Sequence, residues 1–395
     1  MAKGDTFPPE KLTSTSLTIH DNIPVVQLTA HGTHNFCQYF THTSWRRDTG
    51  ELVFTSDRSG GIEFYSVHPE TGIITQLTEG ANASAFGWAI SHDGEFLIYY
   101  GGEAGAQEDI HRVWLRDLEN EHVLTRPERY KGWTRSIISL SPDKDTFFVD
   151  GCANADTLLP SNLFKGSLSE GSFNAVFPRE DERENFYCHN ILCPTNPTIL
   201  HVNKSPAKYI RRDAPQRMWL LDTESGILQP LYKHKTNIFG KYERVGHECW
   251  HPSGKYMVFV VRRNKVKACT VSEGHGNKQS WTCGKGPNFW HVSASPSGEM
   301  LCADSMWDDS GLWLIEFKES ERGRIFNLCL TGSKWQSNEA KEIDGGTGSL
   351  SQAHPHPGWS HDGTYVNFTS FRPKDRAVQL YIMKVPKKPF DHEIP

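Results

Sequence analysis

The chain has 395 residues, 37% hydrophobic and 23% charged, and its formal net charge of −5 is spread along the length without the dense Lys/Arg stripe that phosphate neutralisation needs, which argues against a nucleic-acid partner. Its 12 Trp, 12 Tyr and 21 Phe favour strands over helices and allow a large core, in several ordinary domains or one large all-β domain. No stretch approaches ~18 consecutive apolar residues and the N-terminal "MAKGDTFPPEKLTSTS" has no apolar leader segment, so a soluble, cytoplasmic chain with no membrane partner is expected.

From the N-terminus, "LTIHDNIPVVQLT" (17 to 29) reads as strands that close a sheet. A repeat of about fifty residues then sets in: a small or polar approach, a turn with Pro/His-Asp/Ser-Gly, and a short apolar strand. Its copies are "SWRRDTGELVFTSD" (44 to 57), "AISHDGEFLIYYG" (89 to 101), "SLSPDKDTFFVDG" (139 to 151), "LCPTNPTILHVN" (192 to 203), "CWHPSGKYMVFVV" (249 to 261), "SASPSGEMLCADS" (293 to 305) and "GWSHDGTYVNFTS" (358 to 370). Further strand pairs follow the copies, such as "IEFYSVHPETGIITQLT" (62 to 78) and "QRMWLLDTESGILQPLY" (216 to 232). Seven hairpins of this kind, each extended to four strands, predict an all-β, seven-bladed β-propeller in a single domain over 1–395. After the last copy the chain runs only to "VQLYIMKVP" (378 to 386), so residues 17 to 29 are expected to complete the last blade and close the ring.

The nine cysteines are odd in number and form no CxxC pair; they read as reduced core residues and not as zinc ligands or a disulfide frame. Histidines recur in one register, just before the turns: His189, His247, His291, and the pair His354 and His356. In extended backbone residues two apart face the same side, and Pro355 restricts its neighbour to extended geometry, so His354 and His356 can offer two nitrogens to one ion. Two or three neutral imidazoles with an oxygen ligand suit Mn, Fe, Co, Ni or Zn better than Ca or Mg. His92, His251 and His361 lie within the turns and read as structural. Arg211, Arg212 and Arg217 precede or open a strand of the fourth blade, where a guanidinium could fork onto a carboxylate.

Together with "THNFCQYFT" (33 to 41), "RMWLLD" (217 to 222), "GHECWHPSG" (246 to 254) and "HPHPGWSHDG" (354 to 363), these features resemble the oligogalacturonate lyase family, seven-bladed propellers that act on short pectin fragments. The resemblance implies a manganese site at His291, His354 and His356, a proton-abstracting His247 and a substrate-binding Arg217. Where the family has a glutamine ligand three residues before the first histidine of the pair, this chain has Ser351, with Gln352 one place nearer and the candidate fourth ligand. His189 and His34 become candidates for subsite contacts or leaving-group protonation, with Asn35, Tyr39 and Arg211 as further substrate contacts.

The implied reaction is β-elimination on a uronic-acid di- or oligosaccharide, by a monomer or homodimer. The competing readings are a lyase for another uronate, such as a glucuronate-containing glycan, and a non-catalytic TolB-like or WD-like interaction propeller. A propeller peptidase would need a nucleophile elbow, and no GxSxG is present.

Overall fold

The structure is a computed structural model that describes residues 2–20, 22–30, 32–102, 109–209, 214–261, 264–271, 279–305, 311–334, 337, 353–387 and 389–390. Seven antiparallel sheets of four or five strands follow one another along the chain, each running outward from its innermost strand in sequence order, with strands of the N-terminal arm added at the outer edges of blades 1 and 7. The innermost strands of blades 1 to 7 are Asn35–Phe36, Trp88–Ile90, Thr134–Leu140, Asn185–Leu192, Val245–Trp250, Phe289–Ala294 and Gly358–Trp359. The repeated turns therefore mark the ends of these inner strands, several of which begin well upstream of the turn.

The ring closes through the N-terminal arm. Val25–Gln27 pairs with Ala377–Lys384 of the last blade, with Val25 opposite Met383, and Leu12–Thr13 adds the outermost strand. Further back, Thr6–Phe7 pairs with Ile74–Gln76 of blade 1, so one arm stitches both sides of the seam and leaves neither edge bare.

The turns are built alike because the same residue types recur. Gly94, Gly254, Gly298 and Gly363 each donate a 2.9 Å backbone hydrogen bond to the residue three places back, all with positive φ, and Lys144 takes the same place in blade 3 with φ 61°. At Gly254 (φ 70°) a side chain would also strike Thr195, its Cβ 2.0 Å from Oγ1. His251 and His361 join neighbouring blades: their Nε2 atoms meet Gly298 O at 2.9 Å and Trp45 O at 2.8 Å. Between blades the strand faces interlock in apolar layers such as Val258, Val260, Phe289, Val292 and Leu301. All nine cysteines are buried and unbridged. Among the described residues no helix is long and apolar enough to cross a membrane.

One segment leaves the blades. Residues 37–43, following the inner strand of blade 1, pass across the central channel and touch the other six blades. Gln38 Nε2 donates to Trp88 O, and His42 Nε2 lies 2.9 Å from Ser139 Oγ. The Tyr39 ring meets His189, His291 and His356 at centroid distances of 5.8, 5.8 and 4.8 Å. Phe40 packs with Cys249, Val258 and Val292 in the core between blades 5 and 6. The channel thus has an aromatic plug.

Candidate active site

The site histidines are placed by interruptions of the inner strands. In blade 4 the pairing jumps between Cys188 and Ile191, in blade 5 between Gly246 and Cys249, and in blade 6 between Phe289 and Val292. Each jump sets two inner-strand residues against one on the partner, a bulge that re-aims side chains. His189, His247 and His291 each occupy one. His189 and His247 have φ of 57° and 55°, and His356 has φ 47°. Among the described residues ten non-glycine positions have positive φ; only His189 and His247 lie inside strands, while His356 and the other seven lie in turns and connections. Left-handed backbone at a histidine inside a strand costs energy and persists only where surrounding contacts hold it, as they do around functional sites. The expectation that 354–356 runs extended is corrected here: His356 turns left-handed, and the two imidazoles converge through this kink and not through strand alternation.

His291, His354 and His356 have ligand nitrogens all within 4.8 Å of one another, a group able to hold a metal ion. The donors fit. His291 Nδ1 donates to Asp304 Oδ2 at 2.8 Å, which leaves Nε2 as the ligand atom, and the buried Nε2 of His356 has no hydrogen-bond partner. Burial holds all three imidazoles below their ordinary range, His354 at about 4, so each is in the neutral form that metal binding requires. Gln352, the expected fourth ligand, and Ser351 lie outside the described residues, as does Arg211.

His247 stands against this group, its ring 4.5 Å from those of His291 and Trp290. Burial, then the neighbouring His291 and His189, hold its pKa well below the ordinary imidazole value. The His189 ring is 6.0 Å from that of His247. Arg217 Nη2 donates to Cys188 Sγ at 3.7 Å, and its Nε lies 3.9 Å from Glu248 Oε1. Sequence reasoning thus named side chains that the fold brings together: His189, His247, His291, His354, His356, Tyr39 and Arg217.

Two candidates stand apart. His34 Nδ1 accepts from Val378 N at 3.2 Å, and the Asn35 amide donates to Val378 O and Gln379 Oε1 while accepting from Arg58 Nη2 at 3.0 Å. Asn35 is wholly buried and spent on the seam between blades 7 and 1, and none of the described contacts of either residue reaches the histidine cluster. The hydrogen bonds of both residues thus lie at the seam between blades 7 and 1.

Two carboxylates were missed, both 0% exposed. Asp304 sits opposite the blade 6 bulge, where it receives His291 N at 2.7 Å and His356 N at 3.2 Å as well as the imidazole; burial pushes it up to about 7. Glu248 follows His247 and receives Asn203 Nδ2 at 3.0 Å, with His189 Nδ1 at 3.2 Å. Burial opposes its charge, but the His189 hydrogen bond and the Arg217 charge hold its pKa well below the usual carboxylate range. An acidic residue inside the apolar run "MLCADS" was the available signal for Asp304, since buried strand positions rarely carry charge.

Residues 1–144 match the family model described as oligogalacturonate lyase. The oligogalacturonate lyase of Dickeya dadantii is 22% identical, in an alignment covering 98% of this chain and 99% of that protein. The similarity to that lyase thus runs over nearly the whole chain, beyond the residues matched by the family model. Two solved oligogalacturonate lyases have the same fold. One, in complex with manganese, superposes with a TM-score of 0.78 at 19% identity, covering 99% of this chain and all of that one. The other, from Vibrio parahaemolyticus, gives 0.75 at 20% identity, covering 98% of this chain and all of that one.

Proposed function

We propose that this protein is a metal-dependent lyase that cleaves short uronic-acid oligosaccharides of the oligogalacturonate type by β-elimination, with manganese as its metal. The observation that carries the reading is the convergence of His291, His354 and His356 within 4.8 Å, beside a neutral His247. The likeness to lyases, one of them solved with manganese, supports it.

The chemistry follows from the substrate. Loss of the C5 proton of a uronate places negative charge next to a carboxylate that is already anionic, so the site must supply positive charge there. When bound, the metal supplies part of that charge at the carboxylate. Arg217, with its outer nitrogens not consumed by an ion pair at close range, can fork onto the same carboxylate. His247 is neutral, as a general base must be, and takes the C5 proton. The C5–H electron pair becomes the C4–C5 double bond as the C4–O4 bond breaks, giving a 4,5-unsaturated uronate. A positioned base of this kind contributes roughly 10²–10⁴ in rate.

Digalacturonate and a glucuronate-containing disaccharide, each incubated with the purified protein with added Mn²⁺ or with EDTA, test the reading through the ultraviolet absorbance of the unsaturated product. Absorbance growing with digalacturonate and Mn²⁺ and stopping with EDTA is the expected result. Activity on glucuronate alone would reassign the substrate, and inertness toward both would overturn the enzyme reading. His247→Ala should abolish turnover with bound metal retained, whereas His354→Ala should lose both; wild-type rates in His247→Ala would remove it as the base.

A further inference from the structure

Elimination from a sugar has a second proton to manage: O4 leaves as an alkoxide unless something protonates it. We propose that His189, held by the buried carboxylate of Glu248, delivers that proton, so that two histidines of adjacent blades act as acid and base in one turnover. This rests on the elimination reading above.

His189 and His247 are structural equivalents. Each sits in the bulge of its inner strand, with nearly the same left-handed φ of 57° and 55° and ring centroids 6.0 Å apart, so one fold device presents both to the same volume. Their surroundings differ in the way that acid and base require. Around His247 stand Trp290 and His291 with ring centroids at 4.5 Å and Phe40 at 6.1 Å; the charges of Glu248 and Arg217 reach it but no hydrogen bond to a carboxylate is made among the described residues. Such a pocket favours the uncharged imidazole. His189 instead donates Nδ1–H to Glu248 Oε2 at 3.2 Å, which fixes the ring and leaves Nε2 for the substrate.

Glu248 has no other evident use. A fully buried carboxylate is costly unless paired and hydrogen-bonded, and what surrounds this one is the site itself: His189, Asn203 and Arg217. It is a positioning residue that keeps His189 in one tautomer and steadies Arg217 from behind. His201 completes the support, its Nδ1 donating to His189 O at 3.1 Å beneath the bulge.

The step balances. His247 gains the C5 proton, the C5–H pair forms the C4–C5 double bond, the C4–O4 bond breaks with its pair on O4, and His189 Nε2–H delivers a proton to O4. His247 ends with one proton more and His189 with one fewer, and exchange with water restores both.

The test changes the leaving group. The manganese-loaded enzyme is assayed on digalacturonate and on a galacturonide with fluoride at C4, a group that departs as an anion without a proton; fluoride release is read with an electrode. His189→Ala should lose roughly 10²–10³ in kcat on digalacturonate but stay within about threefold of wild type on the fluoride. His247→Ala should lose comparably on both. Glu248→Gln should show the His189 pattern more weakly, at wild-type manganese stoichiometry. Equal losses by His189→Ala on both substrates, or unchanged turnover of digalacturonate, would overturn the assignment. A wild-type enzyme inert toward both would instead sink the elimination reading itself.

Discussion

Blades 4 to 6 and blades 1 and 2 are built on the same turn and strand pattern, yet they face the channel in opposite ways. The inner strands of blades 1 and 2 are short, Asn35 pairing with Ser56 and Phe36 with Thr55 before the chain leaves for the plug, and Trp88 with Tyr99 through Ile90 with Leu97. The polar side chain of Asn35 is taken up by the seam between blades 7 and 1, and the rings on this side are Phe36, Phe86 and, through the plug, Tyr39 and Phe40. In blades 4 to 6 every inner strand is bulged, and each bulge delivers a histidine. The candidate site histidines of these blades sit at the bulges, and the aromatic side chains of blade 1, blade 2 and the plug wall them on the other side. A low-dielectric wall strengthens the electrostatic contacts of the polar side.

That division can be broken from either side. The largest effect is expected from the plug: Phe40→Ala, which empties a site between blades 5 and 6, should cost about 3–5 kcal/mol by urea denaturation with bound metal retained. A loss of metal without a loss of stability would show that the plug is part of the metal site and not a wall. On the polar side, Asp304→Asn should weaken manganese binding by roughly 10- to 100-fold, read as free Mn²⁺ by electron paramagnetic resonance during titration, because His291 loses the carboxylate that fixes its ring. Unchanged affinity would mean that packing alone orients that imidazole.

The smallest effect is one of pH. His201 is wholly buried and held at about 4, chiefly by burial, whereas in the unfolded chain it titrates near 6.5. Above pH 6.5 both states are neutral there. Below it the unfolded chain takes up a proton that the folded chain refuses, so stability falls between about 6.5 and 4, by on the order of 2 kcal/mol at pH 5 from this residue alone. Urea midpoints at pH 7 and pH 5 should draw together in His201→Gln; an equal acid drop in both proteins would show that His201 is not the group that matters.

Much of this was legible because it is local. A turn such as "HPSGK" and the run "YMVFVV" after it specify a hairpin within a dozen residues, and seven such hairpins leave little choice but a ring. Even its closure by 17 to 29 follows from an unpaired edge. The histidine register was legible for the same reason, since it is counted from each turn. Asp304 and Glu248 were not, because a carboxylate in a strand acquires its role from what lies across the bulge and in the next blade: His356, 52 residues on from Asp304, or His189, 59 residues before Glu248. Asn35 shows the converse: it lies beside the segment that forms the plug, but its partners are Val378 and Gln379 at the far end of the chain.

By itself, then, the sequence determined the repeat, the sevenfold ring and the imidazoles offered to its centre, all consequences of turn chemistry and strand periodicity over short spans. Only the tertiary structure decided that His189, His247 and His356 stand in left-handed backbone, that residues 37–43 cross the channel, and which histidine is hydrogen-bonded to a carboxylate. Those outcomes depend on seven blades meeting at one axis, where each inner strand is shaped by neighbours it cannot specify alone.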